Sequence, residues 1–108
     1  MLTLNTRRRI IMHVDIRYIV CPVAIEEKLE SRHNVTAAEA RQVLLSRPRI
    51  RFAEMGRTPG EDVYAAFGQT LGGRYLAVFI VYKSDAATAI IISARDMTDA
   101  ERKRYGRK

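Results

Sequence analysis

Between residues 62 and 105 the hydrophobic positions gather into three dense runs, DVYAAFGQT, LGGRYLAVFIVYK and ATAIIISARDM, followed by TDAERKRY. Each run is rich in β-branched and aromatic residues and is bounded by a short polar or glycine-containing loop, which predicts strand, turn, strand, turn, strand. Gly72-Gly73 supplies the loose or left-handed backbone of the first turn, and Ser84-Asp85 lies in the second. The last run passes into a helix over 99–105. Thr98 and Glu101 write its start as a capping box, the hydroxyl accepting from a free helix amide while the carboxylate reaches back to the cap amide.

Upstream, Ile10, Met12, Val14, Ile16 and Tyr18 alternate with a more polar set, so residues 10–20 read as a strand. Pro22 suits the first turn of a helix over 24–32, where Ile25 and Leu29 form the apolar side. His33-Asn34 breaks that helix. Thr36 and Glu39 form a second capping box, opening a helix over 37–46 with Ala40, Val43 and Leu44 inward and Arg41 and Arg47 outward; Pro48 ends it. Residues 50–55 alternate as an edge strand, and 56–61 form a polar loop. The order β-α-α-β-β-β-β-α is segregated, which predicts an α+β fold: an antiparallel sheet of four to five strands with helices against one face.

Pairing through the second turn has a consequence for two arginines. If Lys83 lies opposite Thr88, then Leu76 lies opposite Arg95, and Arg74 sits diagonally from Arg95 on the same face. Diagonal neighbours are roughly 7–8 Å apart, close enough to share one anion. A slip of one residue puts the two on opposite faces. The alternative is a pair of solvated strand ends.

Composition then narrows the picture. The 108 residues suffice for one domain with a modest core, and 47% apolar with 29% charged residues is a globular balance. The expected division is a flexible basic N-terminal arm over 1–11 containing Arg7, Arg8 and Arg9, a single domain over 12–105, and a basic tail over 106–108. Met12 is an alternative start to Met1. The single cysteine, Cys21, excludes an internal disulfide framework and fits a reducing, cytoplasmic setting. No apolar run reaches membrane-spanning length, and His13, Asp15 and Arg17 interrupt what would be a signal peptide. Net charge is +7, and 15 of the 19 basic residues are arginine. That imbalance favours a nucleic-acid or acidic-protein partner over a neutral metabolite.

Two histidines, His13 and His33, with one cysteine give no metal-ligand spacing, so no metal or cofactor is expected. No phosphate-binding glycine loop follows a strand, and no serine triad has a local sign. An arginine-rich, metal-free centre remains. RNA can be cleaved without metal when a base takes the 2′-hydroxyl proton, cations hold the phosphorane and an acid protonates the leaving oxygen. Imidazole suits the proton transfers and guanidinium the developing charge. His33, Arg74, Arg95 and Tyr105 are the catalytic candidates; Lys28, Arg32, Lys83 and Arg102 are the candidate RNA-binding cations. Structural readings stand beside these: His33 as a helix C-cap donor, Tyr105 as a core residue of the last helix, Lys28 as a solvated helix residue. For Arg95, Ile90, Ile92 and Ala94 are expected on the opposite face, leaving its side chain outside the packing. Its removal then costs stability well under about 1 kcal/mol.

Gly72-Gly73-Arg74-Tyr75-Leu76, Ile92-Ser93-Ala94-Arg95-Asp96-Met97-Thr98 and Glu101-Arg102 with Tyr105 together resemble the BrnT-type toxins, a branch of the RelE/ParE-like superfamily. The resemblance runs from about Tyr18 to Tyr105. Arg32-His33-Asn34-Val35 stands where that family commonly has Lys-His-Gly-Val, Cys21-Pro22 where it has Trp-Asp, and Asp96 where a second basic residue is frequent. Asp96 is expected to weaken the local attraction for phosphate. The resemblance implies a RelE-like fold, a ribonuclease that halts translation, and functional roles for His33, Arg74, Arg95 and Tyr105. It also implies a ribbon-helix-helix antitoxin, a heterotetramer with it, and contact with operator DNA only through it. The competing class is a non-catalytic, ParE-like inhibitor or binding module that blocks a protein or nucleic-acid target.

Overall fold

The computed structural model describes residues 14–106, so the basic arm, Met12, the first part of the predicted strand 10–20, and residues 107–108 lie outside the described residues. The chain runs β1 (Tyr18–Val20), α1 (Val23–Lys28), a π-helical turn (Leu29–His33), α2 (Ala37–Leu45), β2 (Arg49–Glu54), β3 (Val63–Gln69), β4 (Tyr75–Lys83), β5 (Thr88–Asp96) and α3 (Asp99–Gly106). The expected α+β class is borne out. The sheet has five strands in the order β1-β5-β4-β3-β2.

One expectation about the sheet is corrected. β2 to β5 form an antiparallel meander, but β1 joins β5 in parallel, pairing Tyr18 with Thr88 and Val20 with Ile90. The sheet is therefore mixed. Alternation along a strand encodes which face is buried and is blind to the direction of the neighbour.

The helix expected over 24–32 is also divided. Pro22 sits just before it with an extended ψ of 147°, and after Lys28 the backbone widens into the π turn. Asn34, in the left-handed region at φ 55°, closes that turn, its amide donating to the Leu29 carbonyl. Asn tolerates this conformation better than most residues. Both capping boxes form as read: Glu39 N donates to Thr36 Oγ1 at 3.0 Å, and Glu101 N to Thr98 Oγ1 at 3.1 Å.

The two sheet faces are unequal. α1, the π turn and α2 cover the first, where Leu29, Val35, Val43, Leu44, Ile50, Leu76, Val78, Ile80 and Ile91 are almost wholly buried. The close approach of α2 explains Gly68, since a Cβ there would lie 3.2 Å from both Val43 and Ser46 side-chain atoms. The second face holds a smaller cluster, Ala65, Phe67, Ala77 and Met97, with Tyr75, Phe79 and Tyr105 packed against it. α3 shields only one end of that face. Gly73, at φ 92°, makes the β3–β4 turn.

Candidate active site

The register through the second turn begins as expected, with Lys83 opposite Thr88, and then shifts. A bulge between Phe79 and Ile80 on β4 leaves Ile92 unpaired on β5, so Leu76 faces Asp96 and Ala77 faces Arg95. That single extra residue overturns the shared-face geometry. Arg74 turns to the helix-covered face, and Arg95 turns to the other. Ile92 is 37% exposed while Ile91 and Ala94 are buried, so the expected alignment of Ile90, Ile92 and Ala94 fails for the same reason. The two arginines still meet at Asp96. Arg74 takes its carboxylate, Nε to Oδ1 at 2.8 Å, and Arg95 donates to its backbone carbonyl at 3.2 Å.

Each arginine is held by the glutamate of a capping box. Arg74 Nη1 reaches Glu39 Oε1 at 3.1 Å, and Arg95 forms a two-pronged pair with Glu101 at 2.7 and 3.0 Å. The sequence shows both boxes and both arginines; their coupling comes only with the tertiary fold. The carboxylates respond as expected beside guanidinium. Hydrogen bonding to Arg74 pulls the Asp96 carboxyl below its ordinary range, and hydrogen bonding to Arg95 does the same for Glu101, in each case against a smaller effect of burial. Hydrogen bonds to Asp96 and Glu101 likewise raise the pKa values of Arg74 and Arg95 respectively.

Counting donors separates the two cations. A guanidinium has five N–H groups. Those of Arg74 go to both Asp96 oxygens, Glu39, and the carbonyls of Asn34 and His33. Arg74 thus ties the end of the π turn to the sheet and is saturated. Arg95 makes three such bonds among the described residues, to Asp96 and to the two Glu101 oxygens, keeping Nε–H and one Nη2–H. It also lies 5.2 Å over the Phe79 ring with its side chain 37% exposed. Arg95 is therefore built into the second face, unlike the solvent-facing strand end that was expected.

His33 is exposed at the end of the π turn, where its backbone carbonyl accepts from Arg74 at 3.4 Å. His33, Arg74 and Arg95 accordingly gather at one end of the sheet, on both sides of it. Tyr105 is half-buried on the second face, edge-on to Tyr75 with ring centroids 6.0 Å apart. Arg102 stacks over Tyr75 at 4.2 Å. Beside α3 lies an open hollow of about 520 Å³ lined by Gln69, Tyr75, Arg102 and Tyr105. Lys28 and Arg32 are exposed on α1 and the π turn, away from this hollow. Lys83 sits at the opposite end of β4 from Arg74, paired with Glu61 at 3.3 Å. Among the described residues no three His, Cys, Asp or Glu side chains converge as a metal site.

Sequence reasoning passed over Arg49 and Arg51 on β2. Both face the second side, Arg49 5.8 Å from the Tyr105 ring and Arg51 5.7 Å from the Phe67 ring. The signal was present as basic residues two apart, Arg51 inside the strand read over 50–55 and Arg49 just before it.

The fold is thus an α+β domain in which acidic helix caps hold one arginine on each face of the same sheet end. Residues 25–101 match the family described as the ribonuclease toxin, BrnT, of type II toxin–antitoxin systems, and the chain belongs to that family. The match contains His33, Glu39, Arg74, Arg95 and Glu101 and stops before Arg102 and Tyr105. Membership in a type II toxin family implies an antitoxin partner. No curated protein matched the chain. No helix among the described residues is long and apolar enough to cross a membrane.

Proposed function

We propose that this protein is a toxin acting as a metal-independent endoribonuclease that stops translation, with its reaction centre at the sheet end marked by His33, Arg74 and Arg95. The observation that carries the reading is the unspent donor capacity of Arg95, next to the cap of α3 and on the same edge of the domain as an exposed imidazole. His33 takes the proton of an RNA 2′-hydroxyl. The freed oxygen attacks the adjacent phosphorus, the bond from phosphorus to the 5′-oxygen breaks, and that oxygen leaves with a proton supplied by solvent water, to which His33 later releases its own. The products are a 2′,3′-cyclic phosphate and a 5′-hydroxyl. Arg95 stabilises the charge developing on the phosphorane. Arg74 is a positioning residue that fixes the His33–Asn34 backbone, and Tyr105 with Tyr75 offers rings for a neighbouring base. Lys28, Arg32, Lys83 and Arg102 serve as peripheral cations for the RNA strand.

The assay is cleavage of a single-stranded RNA by purified protein in excess chelator. Cyclic phosphate ends are expected, and replacing the 2′-hydroxyl at the scissile nucleotide by hydrogen abolishes the reaction. Loss of activity in chelator, or products ending in a plain 3′-hydroxyl, overturns this mechanism. A second reading, a non-catalytic inhibitor like the ParE proteins, draws on the carboxylate partners that both arginines already have. Growth arrest without any RNA cleavage selects it.

In the same reading the domain spans 12–105, adopts a RelE-like fold and works in the cytoplasm. Its antitoxin is a ribbon-helix-helix protein that assembles with it as a heterotetramer and carries the operator-DNA contacts. With a net charge of +7 on the toxin, association with an acidic antitoxin slows markedly as salt rises from low to physiological. A salt-insensitive on-rate, measured by stopped flow, removes electrostatic steering from this picture.

A further inference from the structure

Two cross-strand rows on the second sheet face run from β5 to β2. One is Arg95, Ala77, Phe67 and Arg49; the next is Ser93, Phe79, Ala65 and Arg51. Neither row holds an acidic residue; of the carboxylates on α3, Glu101 is engaged by Arg95 and Asp99 lines the hollow with Arg102 and Lys103. Three of these positions are arginines, and Arg102 on α3 adds a fourth. Each of the four guanidinium groups lies 4.2–5.8 Å from the centre of an aromatic ring. A guanidinium at that distance is attracted by the ring's quadrupole, which holds these cations against the aromatic side chains of the second face. Arg49 and Arg95 are three strand spacings apart, about 14 Å at the backbone.

We propose that this face is a docking platform for single-stranded RNA, extending from Arg95 across the sheet to Arg49 and Arg51 on the edge strand. The proposal rests on the ribonuclease reading and deepens it by naming the path of the substrate beyond the scissile phosphate. The guanidinium groups and the rings of Tyr75 and Tyr105 offer planar groups against which unpaired bases stack, while the positive charge attracts the phosphates. A duplex hides its base faces and gains only the charge.

The test uses the full chain and a short, labelled, fully 2′-O-methylated oligoribonucleotide, which lacks the nucleophile and cannot be consumed. The Arg49→Gln/Arg51→Gln variant is expected to bind it at least tenfold more weakly, with the slope of log affinity against log salt reduced by about 1.4, about 0.7 for each lost phosphate contact. Arg41→Gln, which removes an exposed charge from α2 on the other face, is the control and retains most of the affinity. Arg49→Lys/Arg51→Lys keeps the charge, guards against a folding defect, and is expected to fall between parent and Gln variant, because lysine does not stack. Unchanged binding by the Gln variant overturns the proposal, as does equal weakening by Arg41→Gln. Equal affinity for duplex and single strand overturns it too, and so does a Gln variant that keeps RNA but loses an acidic antitoxin. Failure of the parent to cleave unmodified RNA, with these binding differences intact, removes the ribonuclease reading and leaves the platform standing.

Discussion

Arg74 and Arg95 carry the same charge and differ in what their guanidinium groups have left to donate. Arg74 closes a network of Asp96, Glu39 and two backbone carbonyls that a lysine cannot reproduce. Arg74→Lys is therefore expected to lose about 1–3 kcal/mol of stability, with activity falling because the His33 backbone is no longer held; thermal melts and cleavage rates on the same samples check this. Arg95→Ala loses a stacked ring contact and a part-exposed ion pair, together about 1–2 kcal/mol, more than a solvated strand end would. Its cleavage rate is expected to fall about a hundredfold, beyond what the melt explains. Glu101 tests the electrostatics directly. Its carboxyl is held below the ordinary range in the folded protein, so its pair with Arg95 contributes stability above the unfolded pKa. That contribution is lost as pH falls through the normal carboxylate range toward the lower folded value. Glu101→Gln keeps the cap geometry without the charge and is expected to flatten stability between about pH 5 and 3 in acid titrations followed by circular dichroism.

Among the elements, the bulge at Ile92 decides the most. Because it inserts one residue, everything from Ser93 to Asp96 is shifted relative to β4, and Arg95 is delivered to the face opposite Arg74. Deleting Ile92 removes only the extra residue: Ile91 stays opposite Ile80 and Ser93 opposite Phe79 in an uninterrupted ladder, so Ala94 and Arg95 keep their faces. The variant is therefore expected to fold cooperatively with Arg95 still on the second face, and Ile92→Ala, at a position 37% exposed, costs under about 1 kcal/mol; denaturant titration of the two checks both. The same feature marks where reading the sequence stops. Both capping boxes, the apolar sides of α1 and α2, the hairpin turns and the Lys83–Thr88 pair were legible, because caps, periods and turn residues are local chemistry. The bulge was not, since Ile90-Ile91-Ile92 is apolar in either register and gives no alternation to violate. The π turn was hidden likewise, as widening a helix changes its hydrogen bonding and not its pattern. The candidate site was legible as a set of residue types, and the sharing of Glu39 and Glu101 between caps and arginines was not, because contacts across elements leave no spacing to read.

Across the whole molecule, the two faces divide the labour. One is closed by α1 and α2 over the main core, and the other stays largely uncovered beyond α3, with Arg49, Arg51 and Arg95 along it. Holding β1 on the far edge through parallel pairing leaves β2 at the other edge, so the basic rows end at an unpaired strand. That parallel pair also sets a timetable. β1 emerges from the ribosome well before its partner residues, Thr88 to Ile90, have been made. The β2–β4 meander closes from neighbouring segments as it appears, while β1 waits and the Arg95–Glu101 centre does not yet exist. A chain arrested before residue 88 is expected to protect β3 and β4 from protease but to leave Tyr18–Val20 open to cleavage, with no RNA hydrolysis. On the proposed reading, cleavage therefore begins only once residues 95–101 have been made and folded against β4.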